Sequence, residues 1–103
     1  SWEPSWEPSR GVQRWNFPYM QPPALLPKRR SFWMKNTLIP LDLIFLSSSG
    51  EVLETYNMNT EIGHPDSMLK IYRSTDPVKL AMEIRSGLVE EIPILVGSYI
   101  SFR

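Results

Sequence analysis

The sequence contains no cysteine. That excludes a disulfide framework, a thiolate metal site and a thiol nucleophile. Its one histidine, His64, excludes a multi-histidine metal cluster within a single chain. No apolar run approaches the roughly 18 residues that a membrane-spanning helix requires. The first residues, Ser1-Trp2-Glu3-Pro4, are not a basic segment followed by an apolar stretch, so no signal peptide is expected, and no compartment is indicated. Excess charge is lacking as well: 11 Lys and Arg balance 11 Asp and Glu over 103 residues. No overall field therefore favours nucleic acid or an anionic membrane. The 5 glycines are dispersed as turn residues, with no phosphate-cradling loop among them.

What is present is unevenly distributed. Residues 1–40 carry six basic groups (Arg10, Arg14, Lys28, Arg29, Arg30 and Lys35) against Glu3 and Glu7, whereas residues 41–103 carry five basic groups against nine acidic ones. Six of the 10 prolines fall at Pro4, Pro8, Pro18, Pro22, Pro23 and Pro27. Proline lacks an amide donor and fixes φ, so residues 1–30 are expected to form neither a central strand nor a long helix. They read as an irregular arm, residues 1–30, ahead of a domain at residues 31–103. The opening repeat, Ser1-Trp2-Glu3-Pro4 then Ser5-Trp6-Glu7-Pro8, is too short for a solenoid. The arm is nevertheless aromatic, with Trp15, Phe17 and Tyr19, and disordered tails are usually poor in such residues.

Beyond Arg30 the pattern becomes that of short strands. Residues 31–37 are aromatic-rich and read as one strand, and Leu41-Asp42-Leu43-Ile44-Phe45-Leu46 is a compact apolar run. Ser47 to Gly50 is turn material, and residues 51–56 return as the second arm of a hairpin. Residues 57–67 make a long polar loop. Val78, Leu80, Met82 and Ile84 alternate with Lys79, Ala81, Glu83 and Arg85, the period of a half-buried strand. Residues 87–91 suit a turn or a single helical turn, and residues 96–102 a last strand. Short strands linked by turns predict a mainly β fold, a small sandwich or barrel.

Ser31-Phe32-Trp33-Met34-Lys35-Asn36-Thr37, followed by Ile39-Pro40-Leu41-Asp42 and Ile44-Phe45, resembles the signature of the domain of unknown function 192 family. Gly50, Val52, Tyr72, Ser74, Met82-Glu83-Ile84, Gly87, Ile94 and Val96-Gly97 agree with it. The resemblance implies a small, mainly β, jelly-roll-like domain of bacteria and archaea, in a family with no established activity. Members normally begin with a further strand and a short helical segment, and that part is expected to be either missing here or replaced by the proline-rich arm. A cysteine that many members carry shortly before the position of Tyr72 is lacking, and the usual Gly-Asp near the C-terminus is Gly97-Ser98.

The resemblance makes Lys35, Asn36 and Asp42, close to Phe32 and Trp33, the first candidates for a ligand site. On an extended strand Trp33 and Lys35 share a face. An indole floor with an ammonium counter-charge would suit a small anionic or planar ligand. The competing reading is structural: Trp33 packs, Lys35 pairs Asp42 or another acidic neighbour, and Asn36 supports a turn. Asp66 and Ser67 sit close to His64 in sequence, but adjacency on a loop is not triad geometry, so a solvated loop histidine is expected, and Asp42 with Glu51 or Glu54 is only a weak carboxylate pair for hydrolysis. Lys28-Arg29-Arg30 is a short footprint for single-stranded nucleic acid, so nucleic acid is an unlikely partner. No cofactor is expected.

The favoured function is thus a non-catalytic small-ligand-binding or interaction domain, with a hydrolase the least supported. Self-association is the alternative. The body from Ser31 is small, unstapled and expected to expose a strand edge, so a homodimer anchored by Trp15, Phe17 and Tyr19 is predicted.

Overall fold

A computed structural model describes residues 5–9, 12–17 and 26–102. The fold is mainly β, built of three small sheets, none closed into a barrel among these residues. The central sheet has the order β5-β4-β7, with β4 at Leu41–Leu46, β5 at Val52–Met58 and β7 at Leu80–Arg85. Both pairings are antiparallel. A second sheet, β1-β2-β8, comprises Ser5–Ser9, Val12–Asn16 and Tyr99–Ser101. The third pairs β3, Ser31–Phe32, with β6, Tyr72–Arg73.

The run Leu41–Leu46 is continuously apolar apart from Asp42 because β4 is covered on both faces. Successive side chains of a strand point to opposite sides, and here they feed two separate cores. Ile44 and Leu46 join Met82, Ile84, Leu88, Ile94, Ile100, Trp15 and Phe17 on one side. Leu43 and Phe45 join Met34, Met58, Tyr72 and Val78 on the other. A sheet covered on one face would have shown alternation in β4, as β7 does. Those that are fully buried, among them Phe17, Met34, Leu43, Ile44, Phe45 and Leu46, each contribute about 1.5–3 kcal/mol of transfer free energy.

The β4–β5 hairpin shifts register at Phe45/Leu46. Its turn is closed by Ser47 N to Glu51 O at 2.9 Å and Gly50 N to Ser47 O at 3.0 Å. Gly50 has φ +90°, and a Cβ there would lie 2.4 Å from the carbonyl oxygen of Ile100. Only glycine lets the hairpin approach β8 this closely, and Ile100 N donates to Gly50 O at 2.8 Å.

Three expectations need correction. The arm does supply a central strand: β2 pairs β1 antiparallel and β8 in parallel. Its residues 12–16 fall between Pro8 and Pro18, so no proline interrupts the bonds to β8, and Phe17 N continues them to Ser101 O at 2.7 Å. Trp15 and Phe17, expected as anchors on a partner, are instead buried in this chain's own core. Neither offers a surface anchor in this fold, and Tyr19 lies outside the described residues. The strand expected over residues 31–37 also stops at Phe32, because Asn36 takes a left-handed conformation at φ 55° and Thr37 N closes a turn on Met34 O at 3.2 Å. Asparagine is among the few non-glycine residues that accept this region readily.

The hairpin, β7 and the short helix α1, Leu88–Glu91, form where the sequence suggests, but β5 runs two residues beyond the expected arm to Met58, so the polar loop starts later, and the last strand is shorter than expected, Tyr99–Ser101. No helix among the described residues is long and apolar enough to cross a membrane.

Candidate functional site

The turn that ends the aromatic block presents its residues in opposite directions. Met34 is buried and holds the turn to the second core, while Trp33, Lys35 and Asn36 are exposed. The Lys35 ammonium lies 5.4 Å from the centroid of the Trp33 ring, within the range of a cation–π contact. It also donates to Asp66 Oδ2 at 2.8 Å. Both partners of that ion pair are substantially exposed, so its contribution to stability is small, about 0–1 kcal/mol. Its consequence is geometric, because it ties the turn to the loop following β5.

That loop is built around a 3-10 turn at Asp66–Met68. Its backbone bonds are His64 N to Glu61 O at 3.2 Å and Met68 N to Pro65 O at 2.8 Å, and Leu69 is the buried anchor. Glu61 Oε1 accepts from Lys70 N at 3.2 Å and lies 3.9 Å from His64 Nδ1. Glu61 Oε2 is enclosed without a hydrogen-bond partner among the described residues.

Between turn and loop runs a groove of about 200 Å³. Lys35, Asn36, Glu61, His64 and Asp66 supply its polar lining, and Leu38, Ile62 and Leu69 its apolar wall. Leu38 and Ile62 are well exposed, at 75% and 61%. The groove thus combines one cation, two carboxylates, an amide, an imidazole and uncovered aliphatic surface.

Of the residues singled out from sequence, Lys35 and Asn36 line this groove. Trp33 stands beside it with its ring beneath the Lys35 ammonium, and does not line it. Asp42 is elsewhere, at the base of a second crevice of about 200 Å³ with Thr55, Tyr56, Asn57 and Glu90. It is 3% exposed, and both oxygens are used: Oδ1 accepts from Asn57 Nδ2 at 2.8 Å and Oδ2 from Val89 N at 2.9 Å. A buried carboxylate satisfied in this way holds α1 to the sheet, which explains the lone acid in an apolar strand. Lys35 pairs Asp66, and no contact joins it to Asp42 among the described residues.

The other candidates are also placed. Asp42 and Glu54 do not form a carboxylate pair, because Asp42 opposes Asn57 whereas Glu54 opposes Phe45, three positions along β4 and on the other face of the sheet. Glu54 instead accepts from Tyr56 Oη at 2.8 Å, Thr75 N at 2.8 Å and Thr75 Oγ1 at 3.0 Å. Its pKa lies below the usual carboxylate value: desolvation pushes it up, but these donors and the charge of Arg29 together outweigh that. The Glu54 contact in turn raises the Tyr56 phenol, with burial adding to it. His64 is exposed, with its Nδ1 3.9 Å from Glu61 Oε1 and no hydroxyl hydrogen-bonded to it among the described residues. In the basic triplet, Arg29 Nε donates to Ser74 O at 3.1 Å, and Arg30 Nη2 donates to Leu26 O. Both guanidinium groups are engaged with the chain's own backbone.

The loop acids Glu61 and Asp66 were missed as site residues from sequence. A polar loop carries no periodicity to single them out, and only the fold brings it against residues 35–38.

No functionally curated protein matches the sequence. Among solved structures, the chain is similar to the crystal structure of a candidate transcription regulator from Sinorhizobium meliloti 1021. The identity is 28% and the TM-score 0.62, over 72% of this chain and 54% of that one. The chain thus spans about half of that protein's length. The model of the domain of unknown function 192 family, described as an uncharacterized ACR, matches residues 22–102. That span covers most of the chain and contains both the aromatic turn and the loop that form the groove, and the protein belongs to this family.

Proposed function

We propose that this domain is a non-catalytic binding module whose ligand occupies the groove between the 35–38 turn and the 61–69 loop. The observation that carries the reading is the position of Lys35. Its ammonium is held between the Trp33 ring and Asp66 at a groove with an exposed aliphatic wall. A cation fixed by two side-chain contacts loses less conformational freedom on meeting a ligand than a free lysine would. With the Asn36 amide beside it, it suits a small molecule presenting a carboxylate or a similar anionic group. The wall of Leu38 and Ile62 suits an aliphatic body. A ligand-responsive domain is also compatible with the description of the Sinorhizobium meliloti protein as a regulator.

The test is a thermal-shift titration with 4-methylpentanoate. The midpoint should rise with concentration, because a ligand that binds only the folded state stabilises it by about 2.7 kcal/mol at 100 times its Kd. The rise should vanish in Lys35→Met and persist in Asp42→Asn. A rise that survives Lys35→Met and disappears in Asp42→Asn would move the site to the second crevice and defeat the proposal.

A further inference from the structure

The groove carries more charge than an anion receptor needs, and the surplus points to the ligand's other end. Lys35 and Asp66 neutralise one another as a pair at 2.8 Å. Glu61 is left over. Its side chain is only 15% exposed and one oxygen is enclosed without a partner; the nearest side-chain cation is His64 at 3.9 Å, an ion partner only when protonated. An enclosed carboxylate without a fixed counter-charge makes the groove favourable to a cation. Donors are also unspent. The Lys35 ammonium uses one of its three hydrogens on Asp66, and neither the Asn36 side chain nor Asp66 Oδ1 has a partner among the described residues.

We infer that the groove is built for a zwitterion of amino-acid size with an aliphatic body. Its carboxylate meets Lys35 and Asn36, and its ammonium meets Asp66 in the field of Glu61. This rests on the groove being the binding site and adds the ligand class. A simple anion would face Glu61 uncompensated, and a simple amine would leave the Lys35 and Asn36 donors unused. A zwitterion answers both ends, and Leu38 and Ile62 receive its side chain. The volume of about 200 Å³ lies below the roughly 300–1,000 Å³ of pockets for drug-sized ligands, which suits a molecule this small.

The experiment is an amide chemical-shift titration of the full chain with L-leucine and its two analogues lacking one charged end, 4-methylpentanoate (no ammonium) and 3-methylbutan-1-amine (no carboxylate). Leucine should shift amides of residues 35–38 and 61–69 with a Kd at least about tenfold below that of either analogue, a difference of about 1.4 kcal/mol. Lys35→Met should reduce leucine to the level of the amine. Glu61→Gln should reduce it to the level of the carboxylate. Asp66→Asn, at an exposed position, should do the same should Glu61→Gln loosen the loop. If either analogue binds the groove as tightly as leucine, the zwitterion inference fails and the groove stands. If none of the three shifts groove amides, both fail.

Discussion

Asp42 separates a structural carboxylate from a ligand-binding one, and the geometry around it gives two substitutions very different costs. Removing the side chain in Asp42→Ala leaves Val89 N without its acceptor and takes from Asn57 Nδ2 one of its two, Ser86 Oγ at 2.7 Å remaining. Charge-assisted bonds are lost at two donors, and the half-buried Val89 amide is left unpaired. Together these cost about 3 kcal/mol. Asp42→Asn should be far milder, because the network can rearrange. The new amide oxygen keeps Val89 N, and the new NH₂ faces Asn57. Rotating the Asn57 amide by a half-turn then presents its oxygen both to that NH₂ and to the Ser86 hydroxyl, which can donate as readily as accept. What is lost is the charge on the Val89 bond, about 1 kcal/mol. For a domain of this size each kcal/mol is worth roughly 4–8 °C in Tm, so the two variants should be resolved easily by urea unfolding and by thermal melts. Equal losses in both variants would refute the network. An Asp42→Ala protein of wild-type stability that no longer bound any probe would return Asp42 to the ligand site.

Three further outcomes are expected. Phe17→Ala should destabilise by about 3–5 kcal/mol, enough to unfold much of the protein in urea titrations at 25 °C, because Phe17 is fully enclosed in the core; a wild-type melt would contradict the docking of β2. Gly50→Ala should be much more damaging than Gly63→Ala, since both have positive φ but only the Gly50 Cβ would strike backbone, at Ile100 O; comparable midpoints in urea would contradict that close approach. Glu54, held below its usual pKa of 4.5 in the fold, contributes stability that is present above pH 4.5 and lost as pH falls through its lower folded value. Glu54→Gln should therefore flatten the acid limb of stability measured between pH 6 and pH 2, and an unchanged slope would count against the Thr75 and Tyr56 bonds.

The strands of the central sheet were legible because their signals are local. The alternation of Met82 and Ile84 with Glu83 and Arg85 reports one covered face, and the apolar run of β4, broken only by Asp42, reports two. The docking of the arm was not legible, since proline content averaged over residues 1–30 conceals the five residues of β2 that lie between Pro8 and Pro18. Lys35 and Asn36 were found through the unusual aromatic block that contains them. Asp42, three residues beyond Ile39 in the same block, was grouped with them although its strand carries it to another crevice. The other half of the groove depends on contacts such as Lys35 with Asp66, 31 residues apart. Such pairs follow from how the loop folds over Leu69, and nothing in a polar segment announces them. His64 was correctly expected on that loop and exposed, but its place in the groove wall depends on the same long-range packing.

The most direct test of the groove as the binding site is a crystal structure of the full chain grown with L-leucine. The account predicts density between Leu38 and Ile62, with the carboxylate within hydrogen-bonding distance of Lys35 Nζ and the ammonium beside Asp66. Ordered ligand in the crevice of Asp42, Tyr56 and Glu90, with the groove empty, would contradict it.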